Sequence, residues 1–387
     1  MITEPVLLIF FLLFIEILIL YLSSHARFKR YFQFLPFIFW IYFLPMLCST
    51  FGLIDPKSPL YSKISAYLLP ASLLLLLMVV DIKAILRLGP KALSMFFIGS
   101  FGIMLGTALT FFLFKNVVGV EFAFGFGALS ASWTGGSANM IAVKEATGTP
   151  DNIFLPMVIV DTIVPYVWMG ILVALAGFQV VFDRLMKARR DILDDLSQTV
   201  PEKTQSQFKI GPAILIFAIA LAGSYWAQWA AQYFPVVKDV ISTYAWTIIL
   251  VSFLGIGLSF TKVRNLEEFG STRVGYFILY FVLASIGAKA SLSNIGSTFI
   301  LILAGFLIIF IHALVLLAAA KLIKAPMFLV ATASQANIGG VASAPIVAEV
   351  YQKGLASVGL LLAILGNIVG TYLGIITAHL CRWIGRF

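Results

Sequence analysis

Charge is what this chain has least of. Only 11% of its 387 residues are Asp, Glu, Lys or Arg, while 61% are apolar. No water-soluble domain has interior enough for that share, so the chain reads as an all-α polytopic membrane protein whose surrounding partner is the lipid bilayer. Cysteine is nearly absent: Cys48 and Cys381 lie in or beside apolar runs, which excludes a disulfide framework and a thiolate metal site. No HExxH, CxxC or paired-carboxylate motif appears, so an enzyme is not expected and neither is a tightly bound cofactor. Long polar stretches are missing except for 179–209. The net charge of +9 does not point to nucleic acid, because the basic residues sit in short loops between apolar runs, where they set topology. The opening MITEPVLLIFFLLF has neither a basic leader nor an A-x-A cleavage site, and reads as a first span.

What is present is ten apolar spans and two exceptions to them. In the first half, spans fall near 5–22, 31–51, 64–80, 94–114 and 152–178. In the second they fall near 210–234, 243–260, 275–290, 298–322 and 355–379. Residues 179–209 link the halves, so 1–178 and 210–387 read as two repeats. Gly102 and Gly106 in the fourth span have the spacing of a close helix contact.

The exceptions are 128–148 and 331–354, where a Gly-Gly pair sits among small, hydroxylic and amide residues. An offset of 204 places Ser130 on Ser334, Gly135-Gly136 on Gly339-Gly340, Ala138 on Ala342 and Glu145 on Glu349. An offset of 205 then places Thr162-Ile163-Val164 on Asn367-Ile368-Val369. Two matching helix-breaking segments, one per half, are the sequence mark of a transporter.

Each segment either crosses the membrane as a broken helix or returns to the side it came from, as hairpins over 122–148 and 328–354. An arm of 10–12 residues is roughly 15–18 Å of helix, enough to reach the middle of a ~30 Å core. Charge decides between them. With an outside N-terminus and two hairpins, 18 of the 26 basic residues lie inside, whereas with two crossings only 10 do. The positive-inside rule prefers the hairpins, with the linker inside a cytoplasmic (inner) membrane. Five crossings per half is an odd number, so the two repeats are inverted and their hairpins enter from opposite faces.

Polar side chains at the tips are the candidate ligands. They are Ser130, Ser132, Trp133, Thr134, Gly135, Gly136, Ser137 and Asn139 in the first, and Ser334, Gln335, Asn337, Gly339, Gly340 and Ser343 in the second. Broken helices expose carbonyls that coordinate a bare cation and amides that hold a carboxylate. Asp161 lies well inside a span, where a charge is costly. With Thr162 it is the expected sodium site, while Asn367, beside its matching position, is neutral. His312, mid-span, is either a proton relay or a packed, hydrogen-bonded residue.

The motifs Ser132-Trp133-Thr134-Gly135-Gly136-Ser137-Ala138-Asn139-Met140 and Ala336-Asn337-Ile338-Gly339-Gly340-Val341-Ala342-Ser343-Ala344-Pro345 carry a resemblance. The chain resembles the membrane family numbered 819 among the domains of unknown function, over nearly its whole length. That family is more remotely similar to sodium–glutamate and sodium–citrate symporters. The resemblance implies an elevator-type, sodium-coupled carrier, a homodimer, and supplies no substrate; the reading of the tips themselves is a small polar, anionic solute such as an amino acid, small peptide or carboxylate. Proton coupling or cation/proton exchange is the alternative, and a channel or membrane-embedded enzyme a more distant one.

Overall fold

A computed structural model of the protein describes residues 1–25, 27–28, 32, 37–188, 210–236, 242–289 and 298–387. Helices account for the described chain: α1 (Pro5–Ser24), α2 (Phe37–Thr50), α3 (Pro59–Leu77), α4 (Ile82–Arg87), α5 (Gly89–Val118), α6 (Ala123–Gly135), α7 (Ser137–Thr147), α8 (Asp151–Leu175) and α9 (Gln179–Leu185). They continue as α10 (Ile210–Ala231), α11 (Thr243–Ser259), α12 (Ser271–Lys289), α13 (Thr298–Ile323), α14 (Met327–Ile338), α15 (Gly340–Tyr351) and α16 (Ala356–Ile384). Among the described residues no strand forms; Ile2 and Ile54 share one isolated bridge. The protein is thus an all-α polytopic membrane protein.

Eight described helices are long and apolar enough to cross a membrane, or nine if α11 and the turn of helix over Lys262–Phe269, bent by 92° from it, make one span. A described helix overlaps each of the ten expected spans; for the second it is the 14-residue Phe37–Thr50. The basic residues Lys29 and Arg30, the start of that span at 31 and the linker from 189 to 209 lie outside the described residues.

The chain forms two compact units, each drawn from both halves of the sequence. One comprises Met1–Val80, Glu145–Thr162 and Gln205–Thr298; the other comprises Asp81–Lys144, Ile163–Thr204 and Phe299–Phe387.

In the first unit α3 is the central helix, packed on α10, α11 and α12. Its Leu73–Leu77 run is buried from both sides. Pro70 lies inside this helix and has no N–H to offer the Ala66 carbonyl. The neighbouring helix replaces the missing donor: Gln228 Nε2 donates to Ala66 O at 3.0 Å. Ser224 and Tyr244 donate to the adjoining carbonyls of Tyr67 and Ser65. A proline thus fixes which helices dock on α3. At the ends, Lys289 in the last turn of α12 meets Asp151 in the first turn of α8 at 3.5 Å, each charge suited to its helix dipole.

In the second unit the Gly102/Gly106 spacing does bring helices close. A Cβ at Gly106 would lie 2.8 Å from the Ile308 carbonyl oxygen of α13. The linker contributes too. Its first residues form α9, and Asp183, 4% exposed, accepts a hydrogen bond from the Met327 amide at 2.8 Å. Pro326, the residue at the cap position of α14, gives no side-chain bond, so Asp183 caps α14 from a distant part of the chain. Asp183→Ala is expected to cost about 1–2 kcal/mol by removing this acceptor. A thermal midpoint unchanged from wild type would remove the cap from the account.

Candidate functional site

Both Gly-Gly segments are broken helices, which end one residue apart in the repeat and share a positive-φ glycine at the matched position. The last helical bond of α6 runs from the Gly136 amide to Ser132 O, and that of α14 from the Gly339 amide to Gln335 O. The second glycine of each pair then takes a left-handed backbone, φ +84° at Gly136 and +58° at Gly340. A side chain at either position clashes with its own carbonyl, which is why glycine recurs there. The arms, Ala123–Gly135 with Ser137–Thr147 and Met327–Ile338 with Gly340–Tyr351, fill the expected segments.

The two breaks meet. A Cβ built on Gly340 would lie 3.9 Å from the Gly136 Cα, and one on Gly136 would lie 3.7 Å from Asn367 Oδ1. Asn367 belongs to α16, the helix against which both broken helices pack. Gly359, Gly366, Gly370 and Gly374 give α16 a small-residue seam. Gly359 touches the Ala344 backbone of α15; Gly366 lies against Thr134 O of α6; Gly370 and Gly374 lie against Gly135 and Ala131. Packing through small residues and breaking at the tips are therefore both present, and the first positions the second.

Gly366→Ala tests the seam. Its Cβ would collide with the Thr134 carbonyl oxygen, a backbone atom that cannot swing away. Overpacking of this kind costs about 1–3 kcal/mol. A midpoint lowered in proportion is expected from thermal unfolding, and an unchanged one would mean the helices part easily.

Several tip side chains are spent on hydrogen bonds within the protein. Ser130 Oγ donates to Thr377 Oγ1 at 3.4 Å, and Thr134 Oγ1 to Ser130 O at 2.9 Å. Asn139 Nδ2 donates to Gly135 O at 2.6 Å while its Oδ1 accepts from Thr371. Asn337 is used up: Nδ2 donates to Phe96 O and Ala333 O, and Oδ1 accepts from Ser100 Oγ at 2.7 Å.

Ser334 sits in a relay of bonds. His312 Nδ1 lies 2.8 Å from the Gly99 carbonyl, which only accepts, so Nδ1 carries the proton. Nε2 then accepts from the Ser334 hydroxyl at 2.9 Å, and Ser334 Oγ accepts from Trp168 Nε1. His312 is thereby a packed, hydrogen-bonded histidine. Trp168, Ser100, Thr371 and Thr377 had no mark in the sequence; the Gly359–Gly366–Gly370–Gly374 spacing did, as one face of a helix.

Around the junction some polar groups remain. Gly136, Ser137, Gly339 and Asn367 are partly exposed, and Ser132 and Ser343 are buried. Gln335 is 1% exposed; its Nε2 donates to Ser343 Oγ at 2.7 Å, but among the described residues its Oε1 has no hydrogen-bond partner, and neither has the buried Trp133 Nε1. Asp161 and Thr162 do not join this cluster in one unit: they close the 145–162 segment of the other. The Thr162 hydroxyl donates to Val158 O within its helix. Among the described residues no group of three His, Cys, Asp or Glu side chains could hold a metal ion.

A multi-pass helical membrane protein with two helices broken at matched glycines is the class that fold and site define. The family described as "Protein of unknown function (DUF819)" matches residues 11–384, and the chain belongs to it. It is also 28% identical over 347 residues to the uncharacterized membrane protein YjcL of Bacillus subtilis (strain 168), covering 85% of this chain and 86% of that one.

Proposed function

We propose that the protein is a sodium-coupled symporter of a small polar, anionic organic solute, an amino acid, small peptide or carboxylate, in the cytoplasmic membrane. The observation that carries this reading is the meeting of Gly136 and Gly340: two helix breaks, from opposite halves of the sequence, open at one point beside Asn367. Irregular backbone at membrane depth persists only where protein or a water-filled cavity surrounds it. In this reading the segments are re-entrant hairpins of two inverted repeats, the N-terminus is outside and the linker inside. The unit holding both breaks carries the solute in an elevator-type cycle, within a homodimer, and Asp161 with Thr162 holds sodium.

Proton coupling is the second reading, and Glu16 favours it. This α1 residue is fully buried, and neither carboxyl oxygen has a hydrogen-bond partner among the described residues. An ionised carboxylate so placed is costly.

Thermal unfolding of the purified protein in sodium against potassium, at equal ionic strength, separates them. A cation bound only by the folded state at a hundred times its Kd adds about 2.7 kcal/mol. A sodium-specific rise in midpoint is expected. A midpoint indifferent to sodium but dependent on pH, with the dependence abolished in Glu16→Gln, would transfer the coupling to protons.

A further inference from the structure

Resting on the carrier reading above, and replacing its anionic solute by a neutral one, we infer that the solute is a zwitterion of zero net charge, a neutral α-amino acid, its carboxylate at the joined starts of α7 and α15 and its ammonium against Gln335. Four helix ends meet at this junction. α7 and α15 begin there, each N-terminus equivalent to about +0.5 charge, and α6 and α14 end there, each C-terminus about −0.5. The ends sum to zero. The broken helices and α16 add nothing to the sum, because residues 128–143, 331–348 and 356–376 include no Asp, Glu, Lys, Arg or His, and His312, bonded to Ser334 beside Gln335, is in its neutral form in the bonding described above. A solute with unbalanced charge would enter a buried site with nothing to compensate it, which is costly. One with both signs finds both.

The two signs have places. Gly136 and Gly340 are in van der Waals reach, so the positive ends of α7 and α15 lie side by side, and a carboxylate seated against both, on the side where Gly136 and Ser137 are partly exposed, is favoured. The acceptor side lies on the second hairpin. A Cβ at Gly339 would run into Gln335 Nε2 and Ser343 Oγ, so the Gln335 amide is folded over the break, and its Oε1 is a buried acceptor without a partner among the described residues. Pro345, inside α15, has no N–H to give the Val341 carbonyl one residue past the break. The first hairpin has Ala131 and Ile141 at the matching positions, so this oxygen pair occurs once.

The test is thermal unfolding of the full chain in detergent and sodium, with L-amino acids bearing uncharged side chains, L-alaninamide, L-lactate, L-glutamate, L-lysine and succinate as probes. At least one neutral amino acid should raise the midpoint; alaninamide, lactate, glutamate, lysine and succinate should not. Gln335→Met should weaken that response on the order of tenfold or more, while leaving the unliganded midpoint where it was, since the lost bond to Ser343 is offset by removal of a buried, unpartnered oxygen. Should that variant not fold, Gln335→Glu replaces it: the added charge should shift preference from neutral amino acids to lysine. Stabilisation by succinate or lactate equal to that by a neutral amino acid would overturn the charge balance. No response to any neutral amino acid, or a full response in both variants, would overturn the assignment. A sodium-dependent midpoint that survives those failures would leave the carrier reading standing.

Discussion

Gly136→Val and Gly340→Val should each abolish the response of the protein to sodium-dependent solute, although the two residues lie in different halves of the chain. Two costs act at each position. The backbone is left-handed, φ +84° and +58°, which for a non-glycine residue costs about 1–2 kcal/mol and more when the side chain is β-branched. The second cost is space. A Cβ at Gly340 would just touch Gly136 Cα at 3.9 Å, so the Val methyls, about 1.5 Å further out, occupy the gap between the breaks.

Gly354→Val separates the costs. Gly354 has φ +85° with nothing within 4 Å of its Cβ position, so it carries the backbone penalty alone. It should lower the midpoint while keeping the response to solute. Loss in only one of the two junction variants would reduce the site to one hairpin, and loss in Gly354→Val as well would make backbone strain the whole cause.

Asp161→Asn should remove the sodium-specific stabilisation while the protein stays folded. The change keeps the shape and deletes the charge, so it acts on a cation far more than on packing. Asp161 is partly exposed, so its attraction to a cation is weaker than in a fully buried pair, whose loss typically costs 3–5 kcal/mol, and sodium affinity should fall by about tenfold or more. The surroundings favour oxygen ligation. Pro165, four residues on in the same helix, has no N–H to give the Asp161 carbonyl, and Thr162 follows directly. Sodium titrations of the midpoint measure the loss, and an unaltered titration would remove Asp161 from the coupling.

On the proposed reading, a neutral site at the junction and a charged one at Asp161 would divide the work by chemistry. A bare cation needs a full negative charge or several hard oxygens, and Asp161 provides the first. The junction provides only half-charges of both signs, which match a solute carrying both. The asymmetry between the hairpins follows the same logic: Gln335 and Pro345 have no counterparts in the first hairpin, and Asn367 stands where the first repeat has Thr162.

The amino-acid sequence by itself determined the helices, because hydropathy over some twenty residues is a local property that lipid reads directly. It also determined where two of them break. A Gly-Gly pair with a left-handed second residue is a local backbone preference, and the repeat at offset 204 marked both.

Only the tertiary structure decided which polar residues remain to meet a ligand. Asn337 and Ser334 look like ligands in the sequence, yet they are spent on Phe96, Ser100, His312 and Trp168. Ser100 and Asn337 are 237 positions apart, and nothing local in either stretch encodes the other. Gln335 has the same chemistry as its neighbours, yet Ser343 engages its Nε2 and leaves Oε1 without a partner among the described residues. The meeting of Gly136 with Gly340 is of this kind as well. It depends on the glycine seam of α16 drawing two distant helices together, so the breaks were written locally and their junction was made by packing.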